Sequence, residues 1–247
     1  VDLEAIDRPL AQRDADDESR RAERALTAIG HPAVWIVTGV LVLAAVVVAG
    51  LLLTAHPAWS RAEFALDRML DAHSFALVDV TALVFDMMVS TVAALVLLSI
   101  AGLMIYLLAD SVTAAVFLGF VGVSWAVSVG LAHLVDRPLL DLDAAHPLAG
   151  SGPLSFPSTP TVFGAAMIIG FVVVARRGPW RWGVTGIATA SLAVLIWSRL
   201  RLAVGYPSDA VAGVVVAIAV AAIYYPLALN VVLPAIRGRV RRTRGSA

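Results

Sequence analysis

The fold class predicted is all-α: a polytopic membrane protein of six transmembrane helices, with an extracytoplasmic interfacial helix between the first and the second. Three observations predict it. Of 247 residues, 60% are hydrophobic and only 15% charged, against about half and a quarter in soluble domains. The mean hydropathy is +0.88. Uncharged apolar runs long enough to cross a hydrocarbon core of about 30 Å recur along the chain. The absence of cysteine excludes disulfides, thiolate metal sites and cysteine nucleophiles. A formal charge of zero provides no basic field for nucleic acid. All 18 basic residues are Arg, which removes Schiff-base chemistry but keeps the planar fork that grips phosphate bidentately.

Residues 1–30 hold eight acids and five Arg without an apolar core of the signal-peptide kind, and read as a charged cytoplasmic segment. The membrane domain is expected over 31–236 and a basic cytoplasmic tail over 237–247. The first span, 33–55, is uncharged and apolar. Residues 56–87 read as one or two amphipathic helices at the interface, with Trp59, Phe64 and Leu70 toward lipid or the bundle. Asp79 and Asp86, seven apart, share a helix face there and read as a wet stripe; the alternative is pairing with Arg61, Arg68 or an arginine of the outer face.

The second and third spans are placed at 88–108 and 111–135. Five prolines between 136 and 160 then force a loop outside the bilayer core. The fourth, fifth and sixth spans are placed at 161–175, 183–197 and 208–235, with small residues such as Gly164, Gly170 and Gly213 suited to close packing in lipid. Arg176, Arg177 and Arg181 between the fourth and fifth spans, and five Arg after 236, put both segments and both termini in the cytoplasm. A plasma-membrane location follows as the expectation, with segments 56–87, 136–160 and 199–208 outside.

Three stretches reach that outer face together: Asp136-Arg137-Pro138, Phe156-Pro157-Ser158-Thr159-Pro160, and Ser198-Arg199 with Gly205-Tyr206-Pro207-Ser208-Asp209. Two Arg, a Ser hydroxyl and a helix N-terminus would make a concave site for an anion, of which phosphate is the natural occupant. Taken singly, each Arg reads as a snorkelling interface residue. Asp209 is expected to pair with Arg199 or Arg201, or to cap the sixth helix with Ser208. His56, His73, Asp67 and Asp71 lack convincing metal-ligand spacing, so neither a metal nor a cofactor is expected.

In these residues the chain resembles the type 2 phosphatidic acid phosphatase superfamily, over about residues 60 to 230. The family's first motif is Lys, six residues, Arg-Pro; Arg137-Pro138 matches its end, with Gly130 at the Lys position. The second, Pro-Ser-Gly-His, is met by Pro157-Ser158, with Thr159 and Pro160 following. The third, Ser-Arg, five residues, His, three residues, Asp, is met by Ser198, Arg199 and Asp209, with Gly205 in place of His. The resemblance implies that Arg137, Ser158 and Arg199 hold phosphoryl oxygens, with Asp209, Ser198, Thr159 and Arg201 in support. It also implies that the positions of the nucleophile and the general acid are the ones now occupied by Gly205 and Pro160. Glycine cannot attack phosphorus and proline cannot donate a proton.

The expected function is a catalytically degenerate relative that binds a phosphorylated or pyrophosphorylated lipid, a polyprenyl carrier being one candidate, as an accessory or lipid-handling protein. One alternative is an active phosphatase or phosphotransferase with a relocated histidine, His146 or His133. The other is a structural or assembly partner in an envelope complex, with a vestigial pocket. The expected partners are the bilayer, a phosphorylated lipid and, in the last case, another protein, with no nucleic acid.

Overall fold

A computed structural model describes residues 30–71, 76–87, 90–139, 154–175, 180–202 and 204–232. The helices are α1 (Pro32–Ala55), α2 (Pro57–Asp71), α3 (Ala76–Met87), α4 (Thr91–Leu108), α5 (Ser111–Val135), α6 (Thr159–Val174), α7 (Trp180–Arg201) and α8 (Pro207–Leu227), and α8 runs into a π-helical turn, Ala228–Val232. Five segments are long and apolar enough to cross a membrane: α1, α4, α5, residues 182–201 of α7, and α8 with its extension to Val231. The shorter apolar helix α6 completes six. The chain is therefore a polytopic all-α membrane protein. The segment between the first and second crossings forms two helices, α2 and α3, where the block 56–87 allowed one or two.

Helix ends follow local chemistry. Asp110 caps α5 by accepting from the Thr113 N–H and hydroxyl, both at 2.7 Å. Ser90 caps α4 through the Ala93 N–H, which starts that crossing at Thr91. The second crossing therefore begins three residues later than the apolar run suggested. Near the end of α8, Pro226 brings no N–H to the hydrogen-bond ladder, and the helix widens into the π turn immediately after it.

The core is the contact of α5, α6 and α8, with Phe117, Phe120, Val162, Ala166, Val216 and Ala217 buried. Phe120 stacks on Tyr225, ring centroids 4.9 Å apart. Helix α1 lies along α8 and leaves Val34, Leu41 and Leu52 exposed, as a lipid-facing helix does. Two glycines set the approach distances. A β-carbon at Gly39 of α1 would come within 2.7 Å of the Ala219 carbonyl oxygen, and one at Gly213 of α8 within 3.0 Å of the Ser158 carbonyl oxygen. The backbones touch where only glycine fits.

At 16 residues α6 is about 24 Å long, too short for the whole hydrocarbon core. Residues 155–158 precede it as irregular but buried backbone, which membrane proteins tolerate only where protein shields it. The Ser155 N–H donates to the Arg137 carbonyl (2.9 Å) and the Ser158 N–H to the Asp209 carbonyl (3.1 Å). The shortness of α6 thus brings the Pro157-Ser158 strand down to the first turn of α8, at what we call the polar end of the bundle.

Gly39→Val should lower stability by about 1–3 kcal/mol, because the Ala219 backbone cannot retreat without separating α1 from α8. Gly122→Ala, where a β-carbon would meet nothing within 4 Å, is expected to be tolerated. Thermal unfolding of the two purified variants in one detergent checks the contrast.

Candidate functional site

The polar end is built where α5 ends and where α6 and α8 begin. Helix α5 stops because Asp136 adopts a left-handed conformation (φ 51°), its N–H returning to the Ala132 carbonyl. Asp tolerates that region better than most residues, and the reversal directs Arg137 off the helix axis and into the protein. Its carbonyl is fastened by Ser155, and Pro138 bridges to Leu154. Helix α8 begins with Pro207 at its first position, and Asp209 in its first turn accepts from the Tyr206 N–H at 3.4 Å.

Arg137 is 1% exposed. Its Nη1 donates to Asp209 Oδ1 (2.5 Å) and Ser208 Oγ (2.8 Å), and its Nη2 to Ser60 Oγ (2.8 Å) and Glu63 Oε2 (2.9 Å). The guanidinium also lies 4.3 Å above the Tyr206 ring centroid. Glu63 accepts further from the Ser208 hydroxyl (2.9 Å) and the Ser208 N–H (3.2 Å). Arg199 donates from Nη1 to Asp86 Oδ1 (2.6 Å) and from Nη2 to the Val204 carbonyl (2.8 Å). The two arginines grip the 204–209 turn from its two ends. Arg201, Asp86 and Asp209 are buried beside them, and Ala82, Leu139, Leu202, Val204 and Tyr206 form a separate apolar cluster at this end.

Each arginine therefore meets carboxylates of its own chain: Glu63 and Asp209 for Arg137, Asp86 for Arg199. Burying a guanidinium is costly unless an opposite charge and full hydrogen bonding accompany it, and these carboxylates supply the charge. Hydrogen bonding is incomplete, since Nε of Arg137 and Nε of Arg199 are buried without a partner among the described residues.

Other predicted site residues stand as follows. Ser158 Oγ pairs with Thr161 Oγ1 at 2.8 Å, and Thr159 accepts from Ser128 of α5 at 2.9 Å; both are turned to helix packing. Ser198 donates to the Leu195 carbonyl. Gly130 faces open space. A β-carbon at Gly205 would meet only Arg199 Nε, at 3.8 Å, so the direction a side chain would take from that position is open. Pro160 is half-buried in the first turn of α6. His133 is exposed at the end of α5, in contrast to the buried Arg137. His146, His73 and residues 141–143 lie outside the described residues. Of the two roles expected for Asp209, the ion pair goes to Arg137 and not to Arg199 or Arg201, and the contact to the Tyr206 N–H places it at the start of α8, where a cap was the alternative.

Sequence reasoning missed Ser60 and Glu63. The available signal was their spacing of three, which puts both on one face of α2. Asp86 was expected on a wet stripe; its burial and its bond to Arg199 correspond instead to the alternative of pairing with an outer-face arginine.

The Asp86–Arg199 pair is buried on both sides, so removing one partner strands a charge. Asp86→Leu alone or Arg199→Met alone should cost about 3–5 kcal/mol, while the double variant should cost far less than their sum. A double-mutant cycle of unfolding free energies in detergent reads this out.

Comparisons with known proteins bear on the fold. The sequence profile of the PAP2 superfamily matches residues 140–232, a range that includes α6, α7 and α8. The crystal structure described as the first transmembrane PAP2-type phosphatidylglycerolphosphate phosphatase, from Bacillus subtilis, shares the fold. Its TM-score is 0.59, covering 82% of this chain and 95% of that one at 16% identity. No curated protein matches the chain significantly. The chain is thus similar to the PAP2 superfamily over residues 140–232 and shares the fold of a PAP2-type phosphatase over most of its length.

Proposed function

We propose that this protein is a non-hydrolysing PAP2-type membrane protein that binds the phosphoryl headgroup of a lipid at its polar end. The observation carrying the proposal is the contrast within one site. Arg137 and Arg199 remain buried around the 204–209 turn, whereas the positions that would supply nucleophile and acid are Gly205 and Pro160. Binding requires donors and charge; turnover requires in addition a group that attacks phosphorus and one that protonates the leaving oxygen. Here only the first set is present.

The surroundings suit a lipid. A cavity of about 270 Å³ between α3, α4, α6 and α7 is lined by Phe85, Leu97, Phe163, Met167 and Leu195. Phe85 adjoins Asp86 and Leu195 is one turn from Arg199, so an apolar chain in this groove would leave its headgroup beside that ion pair. The acids of the 136–143 segment disfavour small, highly charged soluble phosphates and favour a ligand arriving through the bilayer. Positive-inside counting places this face outside the cytoplasm. A polyprenyl phosphate fits the reading as well as a phosphatidate does.

A second reading is favoured by one observation: every Nη of Arg137 and Arg199 already has a partner within the protein. On that reading the cluster only fastens helices together, and the protein works as a structural or assembly partner.

The two readings separate in lipid binding. The purified chain should release no phosphate from phosphatidate or a polyprenyl pyrophosphate, and native mass spectrometry should show phosphatidate retained in preference to phosphatidylcholine. The charge-balanced double variant, Asp86→Leu with Arg199→Met, should weaken that preference about tenfold. Equal retention of both lipids would support the structural reading. Turnover lost on His133→Ala or His146→Ala would establish the relocated-histidine alternative.

A further inference from the structure

Glu63 occupies the donor set that an anion would use. Its two oxygens accept from a buried guanidinium, a hydroxyl and the backbone N–H at the start of α8, a combination suited to a phosphoryl group. Glu63 is contributed by α2, which packs on α1 and α7 and reaches Arg137 and α8 through polar side chains. At 15% side-chain exposure it is the most accessible carboxylate in the ion pairs, whereas Asp209 is 0% exposed and belongs to α8 itself. Ser60, one turn earlier, adds the other α2 contact to Arg137 Nη2. Two side chains on one face of one helix thus hold the same nitrogen.

We propose that Glu63 is an intramolecular stand-in for the anionic ligand, a latch that holds α2 over Arg137 until a phosphate monoester displaces it. The inference rests on the lipid-phosphate reading above and adds a regulatory element to it. The exchange is electrostatically balanced. A phosphoryl group replaces the departing carboxylate with equal or greater negative charge, so Arg137 is never left buried with Asp209 as its sole counterion. The incoming group also has more oxygens than a carboxylate, and Arg137 Nε is buried without an acceptor among the described residues. Glu63, once released, has water available to it, which the fully buried Asp209 does not. Opening without a ligand would undo four hydrogen bonds from Arg137 and Ser208 to α2 with nothing in exchange. The closed state is therefore the resting one, and ligand binding and α2 displacement are one event.

The chain has no native cysteine, so a spin-label pair is introduced directly, at Arg61→Cys on the exposed side of α2 and Val211→Cys on the exposed side of α8. Distances are measured on the full chain in phosphatidylcholine nanodiscs, with inorganic phosphate added in one arm and phosphatidate in another. Phosphatidate should lengthen the α2–α8 distance, and inorganic phosphate should do so only at higher concentration. Lengthening by phosphate identifies the phosphoryl group as sufficient, and lengthening by phosphatidate alone shows that the lipid chains are needed too. Glu63→Gln should lengthen the distance without ligand and raise affinity about tenfold. Ser60→Ala should act in the same direction more weakly, and carries the test if Glu63→Gln does not fold. Binding with unchanged affinity in both variants and no change in distance overturns the latch alone, as does weaker binding by Glu63→Gln. Absence of binding by the parent and all variants overturns the lipid-phosphate reading and the latch with it.

Discussion

The buried guanidinium of Arg137 is the constraint on which the polar end depends. It joins the end of α5 to α2 through Ser60 and Glu63 and to α8 through Ser208 and Asp209. Its carbonyl holds the strand leading into α6. At 1% exposure it must be neutralised within the protein, because an isolated buried charge would outweigh the few kcal/mol by which domains are stable. The left-handed Asp136, the irregular buried backbone before α6 and the Asp209 contact to Tyr206 at the start of α8 all bring partners to that one group.

On the reading proposed above, the same arrangement lets a PAP2-type fold stand without the family's reactive groups. The membrane helices pack through glycine contacts such as Gly39 and Gly213 and through the α5–α6–α8 core, none of which needs a histidine at position 160 or 205. With Pro160 and Gly205 at those positions, the ion pairs that hold the turn are all in place. Carboxylates from α2, α3 and α8 then balance the arginines. Charge balance makes the site stable when empty, and it means that any anionic ligand has to compete with the protein's own acids.

The crossings were legible because a bilayer imposes length and apolarity on each of them: the segment 111–135 coincides with α5. The ends were less legible, since they depend on single caps: Ser90 sets the start of α4, and α7 extends from Trp180 to Arg201, beyond the 183–197 of the apolar run. The convergence of Arg137 and Arg199 on the turn at Gly205 could be read from motif order and topology. The choice of counterion could not. Asp209 was expected to pair with Arg199 or Arg201 or to cap the sixth helix, and its ion pair is with Arg137, 72 residues away; Glu63 carries no motif, so its part rests on where α2 folds. Ser158, which the motif position offers as a phosphate contact, shares a hydrogen bond with Thr161 that the motif does not indicate.

A structure of the full chain in nanodiscs containing phosphatidate tests the central claim most directly, because it shows what Arg137 holds when a phosphorylated lipid is present. The account predicts headgroup density bonded to Arg137 and to the Ser208 hydroxyl and N–H, with the Glu63 carboxylate displaced toward water. Glu63 still bonded to Arg137 and Ser208, with no headgroup at the 204–209 turn under saturating phosphatidate, would contradict it.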